Sequence, residues 1–413
     1  MPWPSRPRTP EVARRPDGFI TRPFVLVTTA GGLYFISLGM GIAVLPVFAR
    51  HQLGADDVGV GIAVGAFAFG AVILRPFAGR IGDRFGRRWL VIGGAAIVSV
   101  STFAYVGVTS LPLLIGARLV GGIGEAAFFV GAATMITDLA PIDRRGEAIS
   151  YWSVAVYSGL AFGPAIGEAV KSAWSFDAVW ILAGICAGVA ALIGLTVRET
   201  RPDLAPSDDA VPLLHRAAVL PGTMLFLGLI PLAGYTTFLK LYGHSIGAQE
   251  VGGFFFLYGV LVLGIRMFGA KLPDRLGPLR GGSVALGGSA LAMLVIAGIP
   301  TEVGLVLGTM VFAVAMSMMY TNLMTLALVG VDESQRASVV GTFSTFFDLS
   351  QGLGAFIVGA VVDVTSYRGG FLISALFALA GLGLLWSGRD PRVRERHIVA
   401  LGSEQIPEPE PGT

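Results

Sequence analysis

The feature that most limits what this chain can fold into is a repeated one: runs of about 20 consecutive, mostly apolar residues, the length a helix needs to cross a hydrocarbon layer. Twelve such runs are expected, over residues 24–48, 58–77, 89–107, 112–138, 148–170, 177–197, 219–241, 251–269, 282–299, 303–330, 338–363 and 370–388. Inside lipid an unpaired backbone amide has no water to turn to, so each run has to close its own hydrogen bonds as a helix. Only 14% of the residues are charged, against about 25% in an ordinary soluble domain. A soluble chain with so few charges could not cover its surface. The 58 glycines among 413 residues suit close helix–helix approach in the absence of a hydrophobic driving force between helices.

The charges that are present mark the two sides. Alternating the twelve runs puts 22 of the 29 lysines and arginines on the side that carries both termini, and three, Arg50, Lys171 and Arg368, on the other. Basic loops stay in the cytoplasm, so a multi-pass protein of the cell inner membrane with both termini cytoplasmic is expected. Residues 1–23 read as a cytoplasmic tail, 24–197 as a first six-helix bundle, 198–218 as a cytoplasmic linker with Pro202, Pro206 and Pro212, 219–388 as a second bundle and 389–413 as a second tail. The first residues lack the short apolar core and cleavage site of a secretory signal. A single cysteine, Cys186, excludes a disulfide framework, and four scattered histidines offer no metal site. No basic stripe points to nucleic acid. No nucleophile–base pair, nucleotide loop or metal cluster points to a membrane enzyme.

The second half repeats the first. Arg75 to Gly86 aligns without a gap on Arg266 to Gly277, at an offset of 191 residues, with Arg75/Arg266, Phe77/Phe268, Asp83/Asp274, Arg84/Arg275 and Gly86/Gly277 identical. The same offset carries Arg145 onto Arg336, Ser153 onto Ser344 and Gly163 onto Gly354. Parallel repeats of this kind belong to one class of transporter, with the substrate site between the halves near the midplane.

Three segments carry a resemblance. Gly79, Gly82, Asp83, Arg84, Gly86, Arg87 and Arg88, after the second helix, follow the loop signature of the major facilitator superfamily, and Asp274, Arg275 and Gly277 form its second copy. In the fourth helix Arg118, Gly122, Gly124 and Ala126 are similar to the family's fourth-helix motif, with Glu125 where a small residue is usual. In the fifth, Gly159, Gly163, Pro164 and Gly167 resemble the signature of the drug:proton antiporters, with Glu168 replacing its last glycine. The resemblance spans roughly residues 20 to 390. It implies an all-α membrane protein of twelve transmembrane helices, built as two six-helix bundles related by pseudo-twofold symmetry, that works as a monomer without a cofactor, by alternating access, driven by a proton gradient. The loop signature implies charges at the bundle interface that hold the cytoplasmic side shut, with Asp83 reaching a helix N-terminus or an arginine of the other half.

Ionisable groups inside a membrane are costly and mark functional sites. Arg118 and Glu125 are seven residues apart, two turns and about 10 Å along one helix face. Burial favours the protonated acid and a neighbouring arginine the carboxylate, which makes Glu125 the first candidate for proton coupling, with Arg118 and the mid-helix Asp348 sharing its cavity. Lys240 is expected to snorkel to the outer interface, and Arg75 and Arg266 to be structural partners of the two loops. Tyr34, Phe128, Tyr157, Tyr235, Asn322 and Phe346, with the methionines of the tenth helix, are candidates for an adaptable substrate cavity. Proton-coupled efflux of a small amphipathic compound, drug or metabolite, is therefore expected. The alternatives are a proton symporter importing a sugar, nucleoside or carboxylate, and a non-transporting membrane sensor or enzyme.

Overall fold

The structure is a computed structural model, and it describes residues 20–141, 144–200, 215–248, 252–268, 272–331 and 336–387. The expected tails, apart from 20–23, and the core of the linker, 201–214, lie outside the described residues. Twelve α-helices follow one another: α1 (Arg22–His51), α2 (Asp57–Phe85), α3 (Arg87–Ala104), α4 (Leu111–Leu139), α5 (Arg145–Ala173), α6 (Phe176–Thr196), α7 (Arg216–Ser245), α8 (Gly252–Phe268), α9 (Leu272–Gly298), α10 (Glu302–Leu328), α11 (Arg336–Val364) and α12 (Tyr367–Trp386). Eleven of them are long and apolar enough to cross a membrane. The twelfth, α8, is described over 17 residues and falls just short in length, with residues outside the description on both sides. Among the described residues there is no strand.

Helices reach further than the hydropathy pattern on the face where α1 starts and α12 stops, called here the terminal face. α2 runs on to Phe85, and the long part of α9 runs from the joint at Gly277, where a short turn from Leu272 ends, rather than from near 282. Past the hydrocarbon layer a helix no longer needs apolar side chains, so polar turns continue it unseen by hydropathy. On the opposite face the stops are sharp. Asp56, Ser175, Thr301 and Ser366 each cap a helix by accepting a hydrogen bond from the backbone N–H three residues on, which satisfies one of the otherwise orphaned amides there.

Within residues 20–200, α1 packs on α5 and α6, and α3 and α2 on α4. Within 215–387, α7 packs on α11 and α12, and α9 on α10 and α12. The main joins between these two sets are α2 with α11 and α5 with α8. Glycine makes the crossings close: a Cβ on Gly39 of α1 would lie 2.6 Å from the Gly159 carbonyl oxygen of α5. Gly61 and Gly65 of α2 likewise lie on the backbone of α11 at Ala355 and Gly352, and Gly259 of α8 on Ala161 of α5.

These joins are lopsided. Gly61, Gly65 and Asp57 sit in the half of α2 nearer the opposite face, where Gly359 of α11 abuts the Asp57 backbone and Tyr367 of α12 donates to Asp57 Oδ1 at 3.4 Å. Glu168 of α5 pairs with Lys240 of α7 at the same face. At the terminal face, α2 instead ends in exposed Phe77, Arg84 and Phe85. The described contacts across the halves thus run from mid-depth to the opposite face, which is closed.

Candidate functional site

At mid-depth three ionisable side chains from three helices meet. Arg75 of α2 donates from Nη2 to Glu125 Oε2 of α4 at 2.9 Å. Its Nε lies 2.5 Å from Asp348 Oδ2 of α11. The first contact is an aligned hydrogen bond. The second is a charge contact, and neither Arg75 Nε nor Asp348 Oδ2 has a hydrogen-bond partner. All three side chains are largely enclosed, at 8–12% exposure. The guanidinium also lies over the Phe129 ring, 5.2 Å from its centroid, a placement favoured by the ring quadrupole.

The arrangement answers the cost of burying charge. A buried ion is tolerable when paired and hydrogen-bonded, and one guanidinium offers five donors in a planar fork that two carboxylates can share. With both acids ionised the cluster carries one net negative charge, which a single proton or a single cationic group can cancel. Glu125 and Arg75 both belong to the first six helices, whereas Asp348 belongs to the last six. Tyr34 of α1 and Tyr320 of α10 lie within electrostatic reach of the cluster, the latter with its hydroxyl 3.3 Å from Ser344 Oγ, and Tyr157 lies beside Tyr320.

Several expected residues fall elsewhere. Arg75 is not a partner of the loop; it is the centre of the site, because its long side chain reaches Glu125 and Asp348. Arg118 does not join the cluster: it donates from Nε and Nη2 to the Ala63 and Val64 carbonyls of α2 and lies over Phe67, 4.4 Å from the centroid. Tyr34 and Phe128 are fully buried and stacked on each other, 3.8 Å between centroids, where α1 meets α4. Tyr235 is enclosed in an aromatic cluster with Phe255, Tyr258 and Phe312, its hydroxyl 2.9 Å from Thr309. Asn322 donates to the Met318 carbonyl against Gly281, and Phe346 packs on Gly222. Tyr235 and Asn322 are thus buried inside the second six helices rather than facing the first. Lys240 does not snorkel: it is 2% exposed and paired with Glu168, which also accepts from Lys171 at 3.0 Å.

The loop after α2 does local work. Gly86 has φ 103°, and its second copy Gly277 has φ 73°, so the repeat preserves a left-handed joint that disfavours any Cβ. Glu199, just past α6, accepts from the backbone N–H groups of Arg87 and Arg88 and so caps α3, and Arg88 donates to the Leu195 carbonyl. Arg87 pairs with Asp138 of α4, which Thr200 also contacts. Each of these contacts stays within the first six helices; the inter-bundle role expected of the loop rests on Asp83, whose side chain is not among those described. The side chains of Asp83, Asp274 and Arg275 lie outside the described residues, Gly79 and Gly82 are helical in α2, and Arg84 is exposed. Gly159, Gly163 and Gly167 face α1 at Phe35, Gly39 and Met40, a small-residue seam of the kind that lets membrane helices approach. Pro164 lies inside α5 between them.

The pairing of Arg75 with Asp348 had one sequence signal, which was weak: an arginine at the inner end of a hydrophobic run, two helices before one unexplained glutamate. Nothing local to residue 75 announces a partner at 348.

Comparison with known proteins places this geometry. The sequence model described as Major Facilitator Superfamily matches residues 27–355. An uncharacterized MFS-type transporter of Salmonella typhimurium is 28% identical over 373 residues, covering 87% of this chain and 94% of its own. One of Burkholderia mallei is 28% identical over 384 residues, covering 88% and 91%. Among solved structures, the nucleoside transporter NupG superposes with TM-score 0.69 at 17% identity, covering 89% of this chain and all of its own (100%). A peptide transporter, POT, in complex with sulfate gives 0.76 at 13% identity, covering 92% and 96%. An inward-facing bacterial homolog of the human lysosomal transporter Spinster gives 0.72 at 16%, covering 90% and 97%.

Proposed function

The chain belongs to the Major Facilitator Superfamily, and from that premise we propose that it exports a small amphipathic compound in exchange for protons, by rocking of its two halves. It is a multi-pass membrane transporter, not an enzyme. Taking both termini as cytoplasmic, from the placement of lysine and arginine, the closed face is the outer one. Both sides of the site come from one chain, so a monomer suffices, and the proton gradient supplies the energy without a cofactor.

The observation that carries the coupling is the sharing of Arg75 between a carboxylate of its own half and one of the other. Protonating Asp348 on one oxygen removes its charge and with it the attraction across the halves, while the aligned bond to Glu125 keeps Arg75 in place. Releasing that proton to the cytoplasm restores the contact. The switching acid is therefore Asp348, and Glu125, the first candidate from sequence, becomes the residue that holds the arginine. A substrate bearing a cationic group would compete with the proton for the same net negative charge, and such competition makes exchange obligatory. Export rather than import is supported by the glycine and proline pattern of α5, which resembles the antiporters.

The test is transport by purified protein in proteoliposomes under an imposed pH gradient. Compound should move against the proton flow in the parent, and Asp348→Asn should lose uphill movement while still exchanging labelled for unlabelled compound. Gradient-driven transport that survives Glu125→Gln together with Asp348→Asn would refute the coupling assignment. Accumulation of a sugar, nucleoside or carboxylate along the proton flow would select the symport alternative.

A further inference from the structure

The opposite face holds a second charged link between the halves, far from the Arg75 cluster. Glu168 lies five residues before the end of α5, where the antiporter signature has glycine, and Lys240 lies on α7. Glu168 Oε2 pairs with Lys240 Nζ, and Oε1 accepts from Lys171 Nζ, one turn further along α5, at 3.0 Å. Gly252 of α8 packs against the Glu168 stem, where a Cβ would come within 3.0 Å of Cγ. The glutamate is thus clasped between α5, α7 and α8.

The two partners are unequal. The Lys240 side chain is 3% exposed and that of Glu168 is 23% exposed. Glu168 keeps a second cation, Lys171, whichever way the halves move, since both sit on α5. Among the described residues Glu168 is the carboxylate that Lys240 meets. Parting the halves at this face therefore costs Glu168 little and strips Lys240 of its partner, unless water reaches it. Removing one member of a buried pair leaves the other as an uncompensated charge, so the outcome depends on which member is removed.

We propose that Glu168 and Lys240 form a one-sided latch that keeps the outer face closed, in which buried Lys240 is the strained member and Glu168 the residue that quiets it. Loss of the glutamate leaves an ammonium enclosed among apolar groups and beside Lys171, and while the lysine keeps its proton the relief is to open the face and wet it. Loss of the lysine leaves a partly exposed carboxylate still held by Lys171, and the face stays shut. The latch requires only that the halves move as bodies, not that protons drive them, so it stands or falls separately from the coupling assignment.

The experiment measures spin-label distances across the opposite face by double electron–electron resonance, with labels at Gln52 and Thr365 in a Cys186→Ser background, without substrate. His244 lies within electrostatic reach of the cluster and His51 within reach of His244, so all variants are compared at one pH, about 7, where imidazole is ordinarily mostly neutral and an amine protonated. Glu168→Gln should raise the long-distance population about threefold or more, and Lys240→Met should not. Glu168→Gln combined with Lys240→Met should return the parent distribution, a rescue that a merely structural role for Glu168 does not produce. If Glu168→Gln fails to fold, Glu168→Asp should open the face part way. Distances unchanged in the glutamate variants, or equal opening with and without Lys240, would overturn the latch.

Discussion

Arg75 Nε lies 2.5 Å from Asp348 Oδ2, and this contact joins α2 of the first six helices to α11 of the last six. Its partner bond, Arg75 to Glu125, stays inside the first six. Arg75→Lys should therefore lose more than a lysine's shared charge suggests, because an ammonium lacks the fork that serves two carboxylates. Transport is expected to fall at least tenfold, with the two acids then facing each other across a poorer cation. Initial rates in proteoliposomes measure it, and a lysine variant with parental rates would show that the fork is dispensable.

Neutralising the acids should separate holding from switching. Glu125→Gln removes the aligned bond in a site that is nearly closed, and breaking such a pair costs roughly 3–5 kcal/mol when the remaining charge has no other partner. Here Asp348 remains, so a loss at or below the lower end is expected, seen as a lowered thermal midpoint in detergent. Asp348→Asn should lower the midpoint less, yet abolish gradient dependence.

Gly86→Ala should destabilise the first bundle by about 1–3 kcal/mol, the usual cost of a strained backbone position. Two causes add: the φ of 103°, and the Glu199 carboxylate, which sits where the new methyl would go. Glu199→Ala removes the acceptor for two backbone N–H groups at the start of α3 and should cost on the order of 1 kcal/mol, as lost caps do. Thermal melts of the two variants and their combination check this; a double variant no worse than Gly86→Ala alone would show that the two share one origin.

Gly163→Leu should block the α1–α5 crossing, since a Cβ there already falls 2.6 Å from the Gly39 Cα. Overpacking of this kind costs about 1–3 kcal/mol or more. Lower yield of monodisperse protein and a lower midpoint are expected. Gly93→Ala, on α3 with open space around it, is the control that should leave both unchanged.

A cysteine placed at Ser207, in a Cys186→Ser background, should react with a membrane-impermeant maleimide only after cells are permeabilised, because the segment between α6 and α7 is expected to be cytoplasmic. Labelling of intact cells at that position would reverse the sidedness and with it the reading of the closed face as the outer one.

Much of the fold was legible because the forces that set it act along short stretches of chain. Twelve apolar runs announced twelve helices, since a backbone in lipid has one local way to satisfy itself. The exact repeat of Gly86 at Gly277 announced the same joint twice, and the α5 glycines announced a seam. What hydropathy missed was the polar extension of α2 to Phe85 and the start of the long part of α9 at the Gly277 joint, where nothing in the apolar pattern marks a helix.

The site itself was half legible. Glu125 and Asp348 stood out by the cost of their burial, and each is where that cost is met. Their common partner did not stand out, because Arg75 sits at the end of its apolar run and looks like a boundary residue. Lys240 looked like a boundary residue for the same reason, and its enclosure against Glu168 depends on α5 and α7 meeting. By itself the sequence determined how many times the chain crosses and that its halves repeat, because desolvation is charged residue by residue. Only the tertiary structure decided which acid meets which base, because residues 75 and 348 are neighbours solely through the packing of α2 on α11.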